Sequence, residues 1–137
     1  MKLEEDILQT LIAGKVHLYP EKRTLVVLQA DEVIIRVFSY NEWNILLCLL
    51  ESFPCYTSHE KILACVTNLP VEICQERLHA ARLHDKNAPS RSKSRFWEQE
   101  FRPASRALIR LRGKLEPFGL LLSSTRLLGY ILAASST

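Results

Sequence analysis

Apolar and polar positions recur along this chain in different rhythms, and each change of rhythm marks a boundary between elements. Leu3, Ile7, Leu8 and Leu11 stand at helical spacing, in a segment too short to stay helical without a surface to pack on. Three short runs rich in β-branched residues follow at 16–19, 24–28 and 33–38, divided by Pro20-Glu-Lys-Arg and Ala30-Asp-Glu. They predict an antiparallel meander. The period then lengthens. Ser39 with Glu42 and Thr57 with Glu60 have the spacing of capping boxes, which predicts one helix over 40–52 and another ending near Asn68, with Pro54 enforcing the break. Val71, Cys74, Leu78 and Ala81 predict a third helix over 71–84, opened by Pro70. Periodicity is lost over 85–93, a polar, basic loop. A last helix is predicted over 103–116, with Pro103 in its first turn and Pro117-Phe-Gly119 ending it. Residues 120–123 and 128–132 then pair as a hairpin with 124–127 at its tip.

The helix over 103–116 carries the chemistry. Ala104, Leu108, Leu111 and Leu115 fall on one face, while Arg102, Arg106, Arg110 and Lys114 recur every fourth residue along the opposite face. No acidic residue stands among them at the spacing that would neutralise the row, so an anionic partner relieves its self-repulsion. The charge balance of the chain agrees. Residues 86–126 hold ten Lys and Arg against three Glu, a net +7 inside a chain of net +3, which leaves −4 for the remainder. A basic C-terminal part joined to an acidic N-terminal part is the distribution expected when one surface meets phosphates. Arg91, Lys93 and Arg95, in and just after the basic loop, belong to the same charge field.

Composition narrows the function classes. At 137 residues, 47% hydrophobic and 24% charged, the chain reads as one globular domain with an ordinary core. No apolar run approaches the roughly 18 residues of a membrane span, and Met-Lys-Leu-Glu-Glu-Asp is too acidic for a signal peptide. The expected location is the cytoplasm, with no membrane partner. Cys48, Cys55, Cys65 and Cys74 form no CxxC pair and sit mostly in apolar patterns, so they read as reduced core residues and not as a disulfide framework or zinc site. The four histidines are scattered, and Gly14, Gly113, Gly119 and Gly129 make no phosphate-cradling loop. Neither an enzyme nor a bound cofactor or metal is expected. Trp43 is placed in the core, and Trp97 with Phe96 is expected to pack the preceding segment onto the domain.

Strands, helix, helix, basic helix and terminal hairpin is the order of a winged helix-turn-helix. Arg110-Leu-Arg-Gly-Lys-Leu115, followed by Ser124-Thr-Arg-Leu-Leu-Gly129-Tyr130, resembles the signature of OmpR/PhoB-type winged-helix domains. Tyr19-Pro-Glu-Lys-Arg and Ser39-x-x-Glu42 are similar to that family's N-terminal sheet and first helix, and the resemblance runs from about Gly14 to Leu132. It implies an α+β fold of one domain, residues 1–137, with an N-terminal antiparallel sheet, three core helices and a C-terminal β-hairpin wing. Residues 69–101 would be an insertion carrying an extra helix, and residues 1–13 a docking or dimerisation element. It also implies a sequence-specific regulator of transcription, bacterial in type, that binds double-stranded DNA. The basic helix would enter the major groove through Arg106, Arg110 and Lys114, Arg126 would sit on the wing, and Tyr130 would support the hairpin from the core. RNA polymerase and a second copy of the chain are the further partners so implied. Leu127 stands where the family has a glycine, Ser105 where it has an aspartate, and Val66-Thr67 lacks its tryptophan. About thirteen residues precede Gly14, too few for the receiver domain that usually accompanies such a module, so the expectation is a stand-alone regulator or a piece detached from a receiver. Two alternatives follow. The helix after Pro70, with Arg77 and Arg82, could be the DNA reader instead, or the whole module could use its basic surface to bind a protein.

Overall fold

The computed structural model describes residues 1–87 and 95–135; of Arg95 only the backbone is described. In chain order the elements are α1 (Lys2–Leu11), β1 (Lys15–Tyr19), β2 (Thr24–Leu28), β3 (Val33–Val37), α2 (Tyr40–Ser52), α3 (His59–Thr67), α4 (Val71–Asn87), α5 (Arg95–Leu115), β4 (Leu120–Thr125) and β5 (Gly129–Ala134). The first three strands form an antiparallel sheet in the order β1-β2-β3, and β4 and β5 form a separate antiparallel hairpin. No described helix is long and apolar enough to cross a membrane.

The meander follows from its alternation. Val16 and Leu18 of β1, Leu25 and Val27 of β2 and Ile34 of β3 point inward and are buried, because successive side chains of a strand alternate between faces. A 3-10 turn at Pro20–Lys22 joins β1 to β2. It ends on Arg23 in the left-handed region (φ 47°), whose carbonyl accepts from the Phe38 N–H at 2.8 Å and whose side-chain Nε donates to the Phe38 carbonyl at 3.0 Å.

The N-terminal segment finds its partner surface inside the molecule. Leu8 and Ile12 are buried, and Ile7 and Leu11 pack against the core, which leaves Leu3 exposed. Glu5 Oε2 accepts from the backbone N–H of Leu18 at 2.7 Å, and Gln9 Oε1 from that of Val16 at 3.0 Å. These are edge groups of β1 that no strand pairs, and α1 satisfies them with side chains in place of a strand. α1 thus packs on the sheet of the same chain.

α2 carries both halves of its capping box: Ser39 accepts from the Glu42 N–H, and Glu42 accepts from the Ser39 N–H at 2.9 Å. Trp43 is buried beside Phe38, with ring centroids 6.1 Å apart. The cap of α3 is Ser58 and not Thr57. Thr57 is buried and exchanges two backbone hydrogen bonds with Tyr130, of 2.7 and 2.9 Å, tying the hairpin to the helices. Its backbone is spent on that bridge, so the neighbouring serine caps the helix. Cys74, Leu78 and Ala81 of α4 are buried as the period predicts, whereas Val71 is exposed.

The basic helix departs most from expectation. It starts at Arg95, eight residues ahead of Pro103, and holds that proline inside a run of 21 residues. Two facts explain it. The carboxylate of Asp85, near the end of α4, accepts from the backbone N–H groups of Phe96 and Trp97 at 3.2 and 3.1 Å, so the orphan donors of the first turn are satisfied from outside the helix. The inward stripe also begins before the proline: half-buried Trp97 and buried Phe101 continue the row of Ala104, Leu108, Leu111 and Leu115 at i+3 and i+4 steps. Burial of that row outweighs one missing helix hydrogen bond.

Candidate nucleic-acid interface

At 100° per residue, Arg102, Arg106, Arg110 and Gly113 lie within one sector of α5, away from the buried stripe. All are exposed, as is Ile109 at 68%. None of the three arginines has an ion-pair partner among the described residues. A Cβ placed on Gly113 would meet nothing within 4 Å, so this turn leaves its backbone open to whatever approaches the face. On one side the sector is bordered by the hairpin, to which Arg112 donates through the Leu122 carbonyl at 3.2 Å. On the other it is bordered by Lys114.

Lys114 behaves differently from the arginines with which its spacing groups it. Its ammonium lies 2.6 Å from Glu42 Oε1 and 3.0 Å from the Val37 carbonyl, and 5.8 Å from the centre of the Phe38 ring. Glu42 is buried. Burial pushes the Glu42 carboxyl up, but the Lys114 hydrogen bond and the Ser39 amide outweigh it and hold the group below its ordinary value. The lysine therefore neutralises the capping carboxylate of α2 and is committed inside the fold, a partner 72 residues away that helical periodicity cannot show.

β4 and β5 pair from Leu120 with Ala134 to Thr125 with Gly129, and Arg126, Leu127 and Leu128 form the turn. Leu127 is 94% exposed at the tip. The turn works without a glycine there, because Thr125 Oγ1 accepts from the Leu128 N–H at 3.0 Å and the left-handed residue is Gly129, at φ +107°. A Cβ on Gly129 would lie 1.9 Å from the Thr57 carbonyl oxygen, so the bridge to Thr57 is open to glycine alone. Tyr130 sits between that bridge and the aromatic rings of His59 and Phe101, 5.3 and 6.3 Å away, and burial raises its hydroxyl pKa. Arg91 and Lys93 lie outside the described residues, and Arg95 opens α5.

The structure gathers a further group that the sequence does not announce. Trp97 stacks on Phe101 at 4.8 Å and meets the edge of His59 at 5.3 Å, while the Arg82 guanidinium lies 5.6 Å from its ring centre. Burial holds His59 below its ordinary pKa, Arg82 adds to the effect and Glu60 opposes it. At Asp85, burial raises the carboxyl, and the amides of Trp97 and Phe96 overcome it to leave the group lowered. Arg82 is also 3.9 Å from Glu60. α4 shows no continuous cationic row, since Glu72 and Glu76 stand among its exposed residues with Arg77. Of the cysteines Cys74 is buried and Cys48 and Cys65 half-buried, all as free thiols, whereas Cys55 is exposed and not in the core. No cluster of three or more His, Cys, Asp or Glu that could hold a metal occurs among the described residues.

No protein-family model matches the chain, and the search of curated proteins found no match. Among solved structures, the crystal structure of the DNA-binding domain of the response regulator AdeR, in complex with an intercistronic region, is similar to it. The TM-score is 0.54 at 14% identity, over 90% of this chain and 98% of that one. At that identity the likeness speaks for the fold alone, an α+β arrangement with two small antiparallel sheets.

Proposed function

We propose that this chain is a sequence-specific double-stranded DNA-binding regulator of transcription and not an enzyme. Its exposed α5 face would enter the major groove, and the β4–β5 hairpin would act as the wing. The observation that carries the reading is the row Arg102, Arg106 and Arg110. These are three exposed guanidinium groups without ion-pair partners among the described residues, on a helix whose opposite face is core and whose flank is the hairpin bearing Arg126. Affinity then comes from phosphate neutralisation, and specificity from Arg106 and Arg110, since arginine reads guanine O6 and N7 with two parallel hydrogen bonds. Lys114 stays with Glu42 and is not part of the contact surface. The likeness to a DNA-bound domain supports the same reading, which places the protein in the cytoplasm of a bacterial-type cell, with RNA polymerase and a second copy as further partners.

The test is duplex binding measured against salt. About five phosphate contacts give a slope of log K against log salt near −4.5. Arg110→Ala should weaken a selected site more than random DNA, by about 1 to 3 kcal/mol of discrimination, whereas Arg126→Ala weakens both alike. A specific defect in Arg77→Ala, with none in Arg110→Ala, would make α4 the reader. A second reading, a module that binds a protein, draws on two exposed large apolar side chains, Ile109 on α5 and Leu127 at the hairpin tip. Absence of salt-sensitive duplex binding at low salt would select it.

A further inference from the structure

Beside the hairpin lies a cavity of about 520 Å³, walled by His59 at the start of α3, Arg82 and Lys86 on α4, Trp97 on α5 and Arg126 on the hairpin turn. Two carboxylates also reach it, Asp85 and Glu98. Asp85 is already engaged by the first amides of α5, and Arg82, which lies over the Trp97 ring, has a long 3.9 Å contact to Glu60 as its one ion pair among the described residues. Cationic groups therefore exceed the free carboxylates. A second observation is independent of charge. Trp97 Nε1 is the one buried side-chain nitrogen or oxygen without a hydrogen-bond partner among the described residues, and an indole N–H can only donate. A buried donor with no acceptor is costly, and the ring that carries it lines the cavity.

We propose that this cavity binds a small organic anion, a carboxylate or phosphate head on a flat apolar body. Arg82, Lys86 and Arg126 hold the head, and the Trp97 ring packs against the apolar body. The space is of the size that small-molecule sites occupy, and it combines aromatic walls with a few convergent polar groups, as such sites do. It is concave, which suits a small molecule better than a duplex backbone. His59 contributes an apolar wall, since burial keeps its imidazole uncharged near neutral pH. Arg126 has two claims on it. Its turn belongs to the hairpin assigned to DNA, so an anion that holds the guanidinium in the cavity withdraws it from phosphate. Occupancy and duplex binding then oppose each other, and by linkage each weakens the other by the same factor. Binding of the anion stands on the cavity alone; the coupling rests on the proposed DNA-binding function.

The experiment uses the whole chain labelled with 15N and follows the indole N–H signals of Trp43 and Trp97, assigned with a Trp97→Phe variant. Benzoate and phenyl phosphate, at up to about 10 mM, are the probes for the two head groups, with benzyl alcohol as the uncharged control and sodium chloride at matched ionic strength. Expected is a saturable shift of the Trp97 signal with one or both anions, none with the controls, and an unmoved Trp43 signal. Lys86→Gln or Arg126→Gln should raise the dissociation constant about tenfold in a protein whose remaining spectrum is unchanged. The site is overturned if neither anion moves the Trp97 signal, if benzyl alcohol moves it equally, or if both variants bind as tightly as the parent. The coupling is read separately. Saturating anion should weaken duplex binding about fivefold or more, and no change overturns the coupling while the site stands. A protein that binds the anion but no duplex refutes the proposed function and leaves the cavity assignment upheld.

Discussion

Lys114→Met removes an ammonium and keeps an apolar stem of similar reach. In the folded chain that ammonium is 2.6 Å from Glu42 Oε1, and the carboxylate is only 2% exposed, with the Ser39 amide as its other donor. Without Lys114 the charge remains buried and half satisfied. A wholly buried pair broken in this way costs about 3 to 5 kcal/mol, and an exposed pair about 0 to 1. Lys114 is 36% exposed, so water can reach the vacated position, and an intermediate loss of about 2 kcal/mol is expected. For a domain of this size that is a fall in Tm of about 6 °C. The pH dependence fixes the cause. Glu42 titrates below its ordinary 4.5 in the folded chain, so its contribution is present above pH 4.5 and is lost as the pH falls through its lower folded value. Thermal melts of parent and variant should differ most near neutral pH and converge as the pH is lowered below 4.5. Equal melting near pH 7, or a gap that persists to the lowest pH at which both fold, refutes the reasoning. Weakened duplex binding with unchanged stability would return Lys114 to the DNA-facing row.

Three other perturbations probe the scaffold. Gly129→Ala forces a Cβ into the Thr57 carbonyl at a backbone of φ +107°, and chemical denaturation should show a loss of at least about 2 kcal/mol. Deleting residues 1–12 removes buried Leu8 and Ile12 and bares the edge of β1; light scattering should show aggregation, and a soluble, fully folded monomer would contradict the role given to α1. Leu127→Ser, at a tip 94% exposed, should change stability by less than about 0.5 kcal/mol, and a larger loss would mean that the turn is packed in solution.

What was legible in the chain is what local periodicity encodes. The three strands, the capping box of α2 and the inward row of Ala104, Leu108, Leu111 and Leu115 appear where spacing places them, and the hairpin forms with longer strands and its turn at 126–128 instead of 124–127. The misreadings share a physical origin, since each turns on a group supplied from elsewhere in the sequence. Pro103 reads as a helix start because proline suits a first turn, and the Asp85 carboxylate from the preceding helix satisfies the donors that let the helix begin earlier. Thr57 has the spacing of a cap, but its backbone belongs to Tyr130. Lys114 keeps the period of the arginines, and Glu42 claims it. Of the candidate site, the arginine row of α5 and the place of Arg126 near the hairpin tip were readable. The cavity was not, because His59, Arg82, Trp97 and Arg126 come from four elements with no common spacing. The continued apolar row at Trp97 and Phe101 was the one available sign that α5 reaches back to it.

The bridge between Thr57 and Tyr130 also bears on the order in which the molecule assembles. α1 seals β1 through contacts that span 7 and 13 residues, loops that close early and at little entropic cost. Thr57 and Tyr130 stand 73 positions apart, with α3, α4 and α5 between them. Closing that span is costly in chain entropy, so the hairpin is expected to join the domain late in folding. Its amides should exchange with solvent sooner than those of α2 and α5, through partial openings that leave the rest of the chain folded. A late-docking, early-opening hairpin can adjust to a bound partner at little cost to the core, and its turn is where Arg126 is carried.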